Sequence, residues 1–199
     1  MRFAGHESWL VSVGEDPSVD TALCLRDALA LPVHTEPDLP ALAPPIQPVD
    51  PAGLDLDAIV KEWPGWWSEV LRFAGRKYEF GSSRARLELM PIFRTSPSLT
   101  RCPNIREALA HANQAIMDWQ HEIAMQNDAV RAPIDRLVQQ AEQRAGRSAT
   151  NFELVLTVVR VAGPVWQRLD RQHVLVSEQL INDRLVYQDR LAPLVDELV

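Results

Sequence analysis

Two short motifs in this chain could do acid–base or metal chemistry. Asp118-Trp-Gln-His121 and Asp170-Arg-Gln-His173 each place a carboxylate three residues ahead of an imidazole. On a helix that spacing puts both groups on one side, and helical bundles use the related Glu-x-x-His to hold paired metals. His111, seven residues before Asp118, completes the set of candidate ligands. The surroundings argue for a blander role. The apolar seam through Ile116, Trp119 and Ile123 points inward, so Asp118 flanks it and His121 lies almost opposite. The second pair straddles an expected turn. These residues are therefore read as solvated polar groups, with no metal and no other cofactor expected. His6, Glu7 and His34 could act as general bases, but no nucleophile stands beside them in sequence.

The second constellation is aromatic and basic. Trp63, Trp66 and Trp67 fall within five positions and are half of the six tryptophans in the chain. Arg72, Arg76, Lys77, Arg84 and Arg86 follow. Tryptophan serves both cores and interfaces, having a large apolar face and one donor. The structural reading has at least two of the three anchoring a proline-rich strap or neighbouring helices. The interaction reading makes Trp63, Trp66, Trp67, Arg72, Arg76, Lys77, Arg84 and Arg86 a partner-binding set. A small-molecule pocket is a third use. Residues 72–101 hold seven basic side chains against two acidic ones, with Phe73, Tyr78, Phe80 and Phe93 among them. Basic groups can follow phosphates while aromatics stack on bases. The whole-chain pI near 5.2 opposes that nucleic-acid reading, since dedicated binders are usually basic.

Common catalytic signatures are missing. With 8 glycines against 15 prolines, there is no clustered-glycine phosphate loop, no GxSxG elbow and no HExxH. The formal charge of -7 is uneven. Residues 1–60 carry 2 basic and 10 acidic side chains, whereas 61–103 carry 8 basic and 4 acidic. The plain expectation is mutual neutralisation in the fold; the sharper one is an acidic cover over a basic surface. Cys24 and Cys102 are the only cysteines. With no secretion-like N-terminal stretch and no apolar run of spanning length, both are expected as free thiols in a reducing cytoplasm.

The elements that must position these groups follow from periodicity. Trp9, Val11 and Val13 alternate with polar residues, which predicts a strand. "DPSVDTALCLRDALAL" predicts a helix with Pro17 in its first turn. Seven prolines between Pro32 and Pro51 make an extended connector; the interleaved Leu39, Leu42, Ile46 and Val49 predict that it straps across the body. Helical pieces on either side of Pro64-Gly65 should be broken there. "YEFGSSRARLELMPIF" suggests a hairpin about its Gly-Ser-Ser turn, with Pro91 restricting its second arm to a sheet edge. Asn104 and Glu107 have capping-box spacing, opening a helix whose seam runs from Ile105 to Ile123. Val130 and Ile134 carry it on, Pro133 should kink it, and Gly146 should end it. For 152–161 the β-branched residues favour a strand over a helix capped by Thr150 and Glu153. That strand should form a hairpin with "HVLVS", and Ser177 should open a last helix.

The expected fold is α+β: one helix-dominated compact domain with a small sheet or hairpin and a proline-rich strap, or, alternatively, all-α. In chain order it comprises a strand–helix segment at 1–31, the connector at 32–54, and the main body at 55–199. The expected function is a non-catalytic accessory or adaptor protein, acidic and soluble, that binds another protein and no membrane. The alternatives are an enzyme with a dispersed, metal-assisted site, and nucleic-acid binding through 72–101.

Overall fold

The computed structural model describes residues 9–76, 83–125, 134–149 and 151–199. The fold is α+β and helix-dominated, with one small mixed sheet. Contacts divide the chain into two compact units, one of Met1–Glu15 with Asp128–Val199 and one of Asp16–Asn127. Among the described residues no helix is long and apolar enough to cross a membrane.

The discontinuous unit is built on a four-stranded sheet. Strands β1 (Trp9–Glu15), β2 (Phe152–Val159) and β4 (His173–Ser177) run parallel, and the short β3 (Trp166–Arg168) is antiparallel to β4, in the order β1-β2-β4-β3. The β-branched residues of 152–159 thus form a strand as expected. Every residue of β4 is buried, the mark of a parallel strand covered on both faces. The expected hairpin between β2 and "HVLVS" is corrected: the two are neighbours but parallel. Residues 160–172 carry the chain back, turning through Gly163 at φ 87°. The true hairpin pairs β3 with β4.

One sheet face packs Trp9, Val11, Phe152, Leu154, Leu156, Val174 and Val176 against helices α6 (Ile134–Ala145) and α8 (Arg184–Leu198). Gly146, at φ 65°, ends α6 as expected. The expected last helix is two helices. Ser177 caps α7 (Glu178–Asn182), and Asp183 closes it and caps α8, accepting from the Val186 amide at 3.2 Å.

The continuous unit is helical. Asp16 caps α1 (Pro17–Ala28), with Pro17 in the first turn. Cys24 is buried within α1, and both cysteines are free thiols. The proline-rich segment packs on the unit through buried Leu39, Leu42 and Ile46. Its prolines have no amide to donate, so it is acceptor-rich, and side chains supply the donors. Arg26 reaches the Leu39 and Pro40 carbonyls at 2.7 Å each, and the indole N–H groups of Trp67 and Trp119 reach those of Glu36 and Pro44 at 3.2 and 2.9 Å.

Three further expectations are corrected here. Pro64-Gly65 does not break the helix: α2 runs unbroken over Leu56–Gly75. Both residues face solvent, while Trp63, Trp66 and Trp67 on the adjoining buried face hold the register. Ser83–Leu89 is helix α3 rather than a hairpin arm. The Asn104–Glu107 capping box does not form at the start of α5 (Pro103–Met125). Instead the Glu62 carboxylate of α2 accepts from the Asn104 and Ile105 amides at 3.1 and 3.0 Å and from the Asn104 side chain at 2.6 Å. A tertiary carboxylate thus meets the positive end of α5. The kink at Pro133, Val130, the Gly81-Ser82 turn and Thr150 lie outside the described residues.

Candidate interaction surface

The tryptophans belong to the core of the helical unit. Trp63, Trp66 and Trp67 are 0, 0 and 2% exposed. Trp63 meets Trp66 edge-on with ring centres 5.4 Å apart and stacks on Trp67 at 6.2 Å. The Trp66 indole donates to the Pro91 carbonyl at 3.0 Å, and Trp67 holds the strap at Glu36. The anchoring reading is the one the structure supports, and the three indoles offer no outward face to a partner.

The basic half of the expected set lies differently. Arg72 and Arg76, at the C-terminal end of α2, are exposed. Arg86 of α3 is half-buried: its guanidinium lies 4.8 Å over the Phe73 ring and reaches Asp16 at 3.1 Å. Asp16, fully buried, also accepts from the Ser18 amide at the start of α1. Arg86 therefore ties α3 to α1 and α2. Lys77 and the side chain of Arg84 lie outside the described residues.

What the sequence reading missed is beside them. Leu87, Leu89 and Phe93 are 53, 46 and 44% exposed. Leu87 and Leu89 are two apart on a helix, so they point to nearly opposite sides, and both are in solvent. Helix α3 is thus bare around much of its girth. The contacts that hold it place it next to Arg72 and Arg76, and Arg94 follows Phe93 in the exposed turn. The spacing of Leu87, Leu89 and Phe93 fits one face of a strand, which suggests a hairpin arm; only the helix at Ser83–Leu89 sets Leu87 and Leu89 on different sides.

A second polar cluster was also missed. Arg160 follows β2 and is 4% exposed; it contacts Glu15 at the end of β1 at 2.7 Å and Glu178 after β4 at 2.9 Å. Three parallel strands end in this network, the edge where open sheets often bind ligands. Here the guanidinium bridges the two carboxylates and fastens the strand ends.

The metal candidates are not brought together. His111 bonds the Asp50 carbonyl at 2.7 Å, Asp118 accepts from Gln114 at 2.8 Å, and His121 is exposed. In the sheet unit Asp170 accepts from the Gln172 amide at 2.7 Å, while His173 is buried 2.9 Å from the Thr157 hydroxyl. Among the described residues no three metal-ligating side chains cluster. His34 is exposed on the strap, and His6 and Glu7 lie outside the described residues. Burial, with Asp20 and Asp27 nearby, pushes the Cys24 thiol up. Burial, Glu62 and Glu69 push Cys102 up against the opposing Arg101. Neither thiol is activated as a nucleophile. For Glu69, burial pushes its carboxyl up, but the Ser98 hydroxyl and Arg101 outweigh it and hold it below its ordinary value.

The chain matches no family model, and no curated protein or solved structure is significantly similar to it.

Proposed function

We propose that this chain is a non-catalytic accessory protein that binds another protein through the α3 edge of its helical unit. One observation carries the reading: Leu87, Leu89 and Phe93 stand in solvent within seven residues, beside exposed arginines. Exposed apolar side chains are ordinary singly; here Leu87 and Leu89 face nearly opposite ways on one short helix, with Phe93 in the turn after it, which suits a partner that wraps around α3. The two free thiols suit a reducing cytoplasm.

The test is site-specific photo-crosslinking from position 89 in the native cell, paired with the double variant Leu87→Ser, Phe93→Ser. The expected result is one protein adduct of fixed mass, lost in the double variant. Surface changes of this kind shift stability by less than about 0.5 kcal/mol, so loss of the adduct at unchanged stability isolates binding. Absence of an adduct from position 89 would overturn the proposal.

A further inference from the structure

We infer that the segment docking on the α3 edge is acidic and carries large apolar side chains of its own. This rests on the reading of that edge as a protein-docking surface. The chain as a whole is acidic, with a net charge of -7. At this edge Arg86 is paired with Asp16 and Arg101 with Glu69, and the exposed Arg94 beside Phe93 supplies positive charge against the single acid of 83–101, Glu88. Arg72 and Arg76 border the same edge, because Arg86 stacks on Phe73 and Trp66 holds Pro91 against α2. A positive rim around apolar anchors selects a negative partner, speeds its encounter and makes binding weaken with salt.

The types of exposed side chain among the described residues favour an acidic protein over the other polyanion, nucleic acid. Single-stranded nucleic acid is gripped by aromatic faces that stack on bases. Of the four aromatics expected to stack, Tyr78 and Phe80 lie outside the described residues, Phe73 is 7% exposed and lies beneath Arg86, and Phe93 is exposed. The remaining exposed apolar groups are leucines. Leucine has no π-face for a base, but it packs against leucine, methionine or phenylalanine of a protein segment.

The experiment uses the full chain and three labelled probes read by fluorescence anisotropy. They are a panel of acidic peptides carrying Leu and Phe anchors, the same peptides with every acid replaced by Lys, and a single-stranded oligonucleotide. The acidic peptides are expected to bind at least ~10-fold more tightly than their Lys counterparts, and to weaken ~3-fold or more between 50 and 300 mM salt. Leu87→Ser with Phe93→Ser should weaken them ~10-fold or more. Arg94→Glu should weaken the acidic peptides while improving the Lys versions, a reversal that loss of folding cannot produce. Equal or tighter binding of the Lys peptides at the same edge overturns the acidic partner and leaves the docking surface standing. Tighter binding of the oligonucleotide overturns it in favour of nucleic acid. No binding of any peptide also overturns it; the crosslink from position 89 then shows whether the docking reading falls as well.

Discussion

At the scale of single residues, Trp66 acts through its ring and its one donor together. Trp66 is fully buried against Trp63 and bonds the Pro91 carbonyl. Trp66→Ala is expected to cost about 3–5 kcal/mol in urea unfolding. Trp66→Phe keeps most of the packing and leaves the Pro91 carbonyl without its donor, at about 1–3 kcal/mol. A loss below about 1 kcal/mol for the alanine variant would contradict a core role. Glu69 makes a pH prediction. Its carboxyl is held below the ordinary value in the folded chain. Its contribution is therefore present above the unfolded carboxyl's pKa, about 4.3, and is lost as pH falls through the lower folded value. Glu69→Gln should lower stability at pH 7 and flatten the acid limb of the stability curve. An acid limb unchanged in the variant would show that Glu69 is not coupled to folding.

At the scale of elements, α2 shows tertiary packing overruling local preference. Pro64 sits inside the helix and faces solvent, while Trp63, Trp66 and Trp67 are buried. Proline there removes a backbone hydrogen bond and crowds the preceding turn. Pro64→Ala restores both and gives back some entropy to the unfolded chain, so a net gain of about 1–2 kcal/mol is expected. If the helix instead needed a break at Pro64, the variant would lower the thermal midpoint. The strap depends on one of these tryptophans, Trp67, and on Trp119. A segment with few donors stays seated because Arg26, Trp67 and Trp119, from three helices, donate to its carbonyls.

At the scale of the whole molecule, neighbours in sequence part company. Strand β1 and helix α1 are separated by one residue, yet β1 pairs along its length with β2, and α1 belongs to the helical unit. The sheet unit is thus closed by a segment from the far end of the chain. A fragment of residues 128–199 lacks Trp9 and Val11 from its core and leaves β2 with a bare edge. Such a fragment should fail to show a cooperative unfolding transition alone and regain one with the peptide 1–15 added in trans. The same peptide carrying Val11→Asp should not restore it, since a buried unpaired charge is too costly. A cooperative transition in the fragment alone would show β1 to be dispensable.

Much of this was already written in the sequence. The strand at Trp9, helix α1 with its early proline, the α5 seam, the apolar residues of the strap and the helix stop at Gly146 all follow from short-range pattern, because side-chain periodicity and backbone preference are local. The tertiary structure alone decided four things: that β2 and β4 are parallel, that α2 runs through Pro64, that Glu62 replaces the expected capping box, and that Arg160 joins three strand ends. Each depends on groups distant in sequence. A strand buried on both faces loses the alternation that reveals its direction and partner, and a proline breaks a helix only when nothing on the other side holds it. The exposure of Leu87, Leu89 and Phe93, on which the proposed interaction surface depends, is of the same kind. An apolar residue's type says that it prefers burial; only the completed fold shows which ones were left in water.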